Sequence, residues 1–122
     1  MRHAQLLAYN LAPPLLDSLR LLAQAGSIWL REVRDPKACL NLLLEAGAGV
    51  LVLHLGRDLE DDCNLLEQTT RLLPEIPAVV VLDAPHPNLA ALAWDLGAAY
   101  VVPPQTPERV LEIVQALLQP AK

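Results

Sequence analysis

His54 closes the aliphatic run Val50 to Leu53, where an imidazole is placed to ligate a metal or carry a proton. Asp83 ends a second aliphatic run and His86 follows it, so two imidazoles and one carboxylate are available in principle for zinc. Their spacing matches no metal motif, and the reading adopted is a His54 hydrogen-bonded to neighbouring backbone, with no metal bound. The acidic run Glu60-Asp61-Asp62 offers hard oxygen ligands, but carboxylates opening a helix read as a solvated cap that complements the macrodipole. Gly56-Arg57-Asp58 lacks the glycine density of a phosphate loop, so no nucleotide cofactor is expected. No nucleophile with an adjacent base is readable, and no catalytic residue is assigned. Cys39 and Cys63 fall on separate helical segments and read as reduced core thiols.

These residues must be held by elements, and the hydrophobic pattern supplies them. Short apolar runs, Ala4 to Tyr9, Ser27 to Val33, Val50 to Leu55, Ala78 to Leu82 and Tyr100 to Val102, predict strands. Helical spacing lies between and after them. Pro13-Pro14 opens a helix with Leu15, Leu19 and Leu22 on one face, stopped by Gly26. Asp35-Pro36 caps a second with Cys39, Leu42, Leu43 and Ala46 as its buried stripe, ending at Gly47. Asp58 to Asp62 leads into a third with Leu65, Leu66, Thr69, Leu72 and Leu73. After the break at Pro74 to Pro77 and the fourth strand, Pro85-His86-Pro87 starts a short helix through Leu89, Leu92 and Leu96, closed by Gly97. Thr106-Pro107-Glu108 caps the last, with Val110, Ile113, Val114 and Leu117 as its stripe.

Composition narrows the function classes. At 122 residues the chain is expected to form one domain over 1–122. It is 53% hydrophobic, only 19% charged and carries net charge −5, so some apolar surface is expected to meet a protein partner. Lysine and arginine are scattered, which argues against nucleic-acid binding. No apolar run approaches the roughly 20 residues needed to span a bilayer, and the N-terminus does not make a secretory h-region, so a cytoplasmic protein away from membranes is expected. Trp29, on a strand, is expected in the core; Trp94 is an interface candidate.

Five strand and helix pairs in strict alternation predict an α/β fold with a parallel sheet, and right-handed crossovers leave few arrangements. The leading one is the flavodoxin-like (βα)5 three-layer sandwich with strand order 2-1-3-4-5. Ligands in such sheets sit beyond the carboxyl ends of the strands where the order reverses. That places Asn10 and His54 on either side of a crevice, with Asp83 next along.

Val50-Leu51-Val52-Leu53-His54, Leu73-Pro74-Glu75-Ile76-Pro77 followed by Ala78 to Leu82, and Gly97-Ala98 leading to Tyr100-Val101-Val102-Pro103-Pro104 resemble the third, fourth and fifth strand regions of response-regulator receiver domains. The resemblance spans nearly the whole chain, and it implies where phosphorylation chemistry would sit. Each such position departs from the family. Asn10 stands where the acidic pair is expected, His54 replaces the phospho-accepting aspartate, Leu82 or Asp83 falls at the Ser/Thr position, and Pro103 takes that of the lysine. Only the aromatic of the fifth strand, Tyr100, is kept. Magnesium needs hard oxygen ligands and the moving phosphoryl group a nearby cation. The resemblance therefore implies a pseudo-receiver that is not an enzyme. It also implies a cis peptide before Pro104.

The function expected is a phosphorylation-independent protein–protein interaction module in signal transduction, forming a homodimer through the fourth helix, fifth strand and fifth helix, with Trp94 and Tyr100 as interface residues. The alternative is a small-ligand sensor using the crevice near Asn10, His54 and Asp83. An enzyme of another reaction on the same scaffold ranks last.

Overall fold

The computed structural model describes residues 5–26, 28–46, 49–56, 58–82, 87–102 and 107–118. Strand and helix alternate throughout: β1 (Gln5–Tyr9), α1 (Pro13–Gly26), β2 (Trp29–Val33), α2 (Pro36–Ala46), β3 (Val50–Leu55), α3 (Leu59–Leu72), β4 (Ala78–Leu82), α4 (Pro87–Asp95), β5 (Tyr100–Val102) and α5 (Pro107–Leu118). The strands form one parallel five-stranded sheet of order β2-β1-β3-β4-β5. This is the flavodoxin-like arrangement expected from the alternation.

Every residue of β3 and β4 is buried, which is why both read as unbroken apolar runs. Their side chains divide by the strand period of two. Leu51, Leu53, Leu55, Val80 and Leu82 join Leu7 and Tyr9 against α2, α3 and α4, through Cys39, Leu43, Leu65, Leu66 and Ala93. Val50, Val52, Val79 and Val81 join Leu6 against α1 and α5, through Leu15, Leu19, Val110, Ile113 and Val114.

Local signals set the helix ends. Asp35 caps α2, its Oδ2 accepting from the Ala38 amide at 3.2 Å, and Asp58 caps α3 by accepting from Asp61 N at 3.5 Å. Behind α4, the amides of Gly97 and Ala98 donate to Trp94 O and Ala93 O at 3.1 and 3.0 Å, the paired bonds of a Schellman motif. Gly97 sits at φ +103, and an added Cβ would collide with Cγ2 of Thr70 and lie 2.8 Å from its Oγ1. Only glycine meets both demands.

Three expectations need correction. Trp29 is 51% exposed rather than in the core, because β2 is the outermost strand and no further strand among the described residues pairs with its flank. Leu72 is half exposed, and the apolar end of α3 is carried by Leu73 alone. On α4 the buried position is Ala93, flanked by Leu89, Ala90 and Leu96, and Leu92 lies outside that cluster. Ala4, Ser27, Gly47 and Thr106 lie outside the described residues.

Gly97→Ala should lower unfolding free energy by about 1–3 kcal/mol in urea denaturation, from backbone strain and crowding together. Adding Thr70→Ala should recover the crowding part and leave the strain.

Candidate functional site

At the carboxyl end of β1 the chain turns sharply through Asn10, which adopts the left-handed conformation at φ 55. Asparagine tolerates that region better than most residues. Its amide donates to Val33 O at 3.1 Å, so the turn is tied to β2. A cleft of about 230 Å3 opens there, lined by Ala8, Asn10, Leu11, Pro13, Leu16, Glu32, Val33 and Arg34. Arg20 of α1 reaches Glu32, with Nε and an Nη each donating to Oε2 at 2.9 and 2.7 Å, and its other Nη bonds Asp17 at 2.9 Å. These contacts hold the Arg20 guanidinium above its ordinary pKa, Glu32 contributing most.

His54 is only 6% exposed. It pairs with Val81 in the ladder, and strand alternation puts it on the α1 and α5 side with Val50 and Val52. Leu82 packs into the cluster on the opposite face of the sheet from His54. Asp83 and His86 lie outside the described residues, as do Pro103 and Pro104 with the peptide expected to be cis. The sequence reading set Asn10 and His54 across one crevice. The ladder pairs Tyr9 with Leu53, so Asn10 and His54 follow on neighbouring strands, and Asn10 also lines the cleft with β2 residues.

A buried polar group that the sequence reading missed lies on the other side of the sheet. Asp62, read as part of a solvated cap, is 0% exposed. Its Oδ2 accepts from Gly56 N at 3.1 Å and Asp58 N at 3.3 Å, so one carboxylate oxygen holds the β3–α3 loop. Charge-assisted bonds to backbone amides offset the desolvation of such a group. The signal was present in the spacing, because Asp62 stands three and four residues before Leu65 and Leu66 and seven before Thr69, in phase with the buried stripe. Its flanking acids Glu60 and Asp61 are exposed, as a cap requires.

Tyr9 and Cys39 complete that cluster. Burial first, and then the neighbouring Asp62 charge, pushes the Tyr9 phenol well above its ordinary value. Burial alone pushes the Cys39 thiol up to about 12. Cys39 and Cys63 are both free thiols. Asp62 holds the loop through Oδ2 alone, and among the described residues its buried Oδ1 has no hydrogen-bond partner. Among the described residues no group of three or more His, Cys, Asp and Glu side chains is placed to hold a metal ion. No helix among them is long and apolar enough to cross a membrane.

No protein-family model matches the sequence, and no curated protein matches it either. Solved structures do resemble it. A CheY-like response regulator receiver domain protein from Methanospirillum hungatei JF-1 superposes with TM-score 0.79 at 15% identity, covering 95% of this chain and 94% of that one. An orphan response regulator of H. pylori gives 0.79 at 10% identity, with 97% and 98% covered. The chemotaxis protein CheY4 of Vibrio cholerae gives 0.75 at 15% identity, with 95% and 99% covered. At such identities the likeness is one of fold, and the fold is that of CheY.

Two tests follow. Asp62→Ala leaves the Gly56 and Asp58 amides without their acceptor and should cost about 1–3 kcal/mol, with Asp62→Asn milder; faster amide exchange at Gly56 and Asp58 should accompany the loss. The raised thiol of Cys39 holds its proton more tightly in the folded state than in the unfolded one. Its contribution to stability is complete below the ordinary value of 9.0 and disappears as pH rises toward about 12. Urea unfolding from pH 8 upward should show this decline, and Cys39→Val should remove that part while leaving the part due to Tyr9, which begins near its ordinary value of 10.0.

Proposed function

We propose that this chain is a pseudo-receiver, a signal-transduction domain that acts by binding protein and without phosphorylation. The observation that carries the reading is His54, buried at the end of the central strand β3 within a CheY-like fold. Receiver chemistry, as the resemblance implies it, needs a carboxylate there to become an acyl phosphate. An imidazole cannot form that bond. The turn after β1 contributes the neutral amide of Asn10 and no carboxylate, so the anionic oxygen ligands on which a magnesium site relies are absent from that turn.

The proposed partner surface comprises α4, β5 and α5. Trp94 on α4 is 51% exposed and Tyr100 on the edge strand β5 is 41% exposed. Large aromatic side chains left in water at a strand edge are the anchors that protein interfaces use. A homodimer through this surface would bury about 800 Å2 on each partner, the usual size for a stable complex. A second reading, a small-ligand sensor, has in its favour the cleft beside Asn10. At about 230 Å3 that cleft is smaller than the roughly 300–1,000 Å3 of most ligand pockets.

Incubation with acetyl phosphate and magnesium followed by intact mass measurement should leave the mass unchanged; a stable phosphoryl adduct would sink the pseudo-receiver reading. Sedimentation at rising concentration should show a dimer that Trp94→Ala and Tyr100→Ala together reduce to monomer. A strict monomer at all concentrations would remove the dimer while leaving the phosphorylation result standing.

A further inference from the structure

The sheet has a second edge, at β2, and it differs from that of β5. The burial pattern along Trp29–Val33 leaves Trp29, Arg31 and Glu32 exposed and Leu30 half-buried. In a parallel pair alternate residues turn their backbone groups toward the neighbour. Val33 O accepts from Asn10 N, so Trp29, Arg31 and Val33 serve β1 while the N–H and C=O of Leu30 and Glu32 point to the open side. Among the described residues no backbone group from another element pairs with them.

Concave surface borders this strand at both ends. Ile28, Trp29, Leu30 and Arg31 line a shallow hollow of about 430 Å3, and Glu32, Val33 and Arg34 form one wall of the cleft beside Asn10. Together they follow the chain from 28 to 34, which at about 3.3 Å per residue is the length of an extended heptapeptide.

The charge of the edge runs against that of the chain, which carries −5 overall. Arg31, Arg34 and Lys37 are all exposed, and no ion pair among the described residues engages them. The two carboxylates interleaved with them are already committed, Glu32 to Arg20 and Asp35 to the Ala38 amide. Lys37 lies in the first turn of α2, which has no acidic residue, so a cation stands at the helix end that favours an anion.

We propose that the open edge of β2 is a docking site for an extended acidic segment of another protein, which adds to the sheet as a sixth strand. Main-chain bonds to Leu30 and Glu32 provide register, and Arg31 with Trp29 on the same face selects an acidic residue and an apolar one two positions apart. Arg34 and Lys37 favour a further acid at one end. The site is separate from the surface proposed on α4, β5 and α5, so either can fail without the other.

The test uses the heptapeptide Thr-Val-Val-Asp-Thr-Val-Asp, its reversed sequence, because a strand adds in either direction, and versions of both with lysine for aspartate. Titration into the labelled chain should shift the Leu30 and Glu32 amide resonances and slow their exchange, and should change the Trp29 indole signal. The lysine peptides should bind at least about tenfold more weakly, and Arg31→Glu should weaken the acidic peptides about five- to tenfold. Trp29→Ala removes an exposed side chain and should retain the native circular dichroism while also weakening binding; Trp94→Ala should leave it unchanged. Silence of the 28–34 amides with the acidic peptides, equal binding of the lysine peptides, or self-association of the chain through this edge would each overturn the proposal.

Discussion

The burial of β3 and β4 on both faces is the constraint from which the rest of the structure follows. A strand covered above and below has no water for its peptide groups, so each must be satisfied in the ladder, and the ladder needs neighbours on both sides. Two such strands side by side, with β1 and β5 flanking them, force the crossover helices onto both faces. They also exclude polar side chains from the middle of the sheet. The polar residue on β3 is accordingly found near its end, at His54.

That same sheet divides the molecule electrically. On one side lie Asp62, Tyr9 and Cys39, a buried group whose carboxylate tethers the loop from Gly56 to Asp58. On the other lie His54 and, toward β2, the cleft with Asn10 and the Arg20–Glu32 pair. Packed aliphatic layers separate the two.

Elements whose character is local were legible in the sequence. Val50 to Leu55 and Ala78 to Leu82 announce central strands because burial on both faces leaves no polar alternation, and Asp35-Pro36 announces a helix start because the cap and the proline are adjacent. The strand order followed from alternation and handedness. What depends on position in the assembled sheet was harder to read. Trp29 looks like core on composition, yet Arg31 and Glu32 beside it already mark an outer strand. Asp62 looks like surface because charge outweighs spacing in a one-dimensional reading, although its place in the stripe of Leu65, Leu66 and Thr69 was visible. The left-handed turn at Asn10, which ties the chain to Val33, was not legible at all, because a backbone reversal of that kind leaves little trace in residue types.

The strand order also decides how the two edges relate. β2 and β5 are separated by β1, β3 and β4, which at about 4.8 Å per strand places them nearly 20 Å apart. Partners meeting Trp29 at one edge and Tyr100 at the other would not touch, and the only matter between them is the most tightly buried part of the core. Val50 to Leu53 and Val79 to Val80 pack with essentially no exposed surface. Close packing of that kind leaves the two edges at a fixed separation, set by the strand order and not by any loop between them.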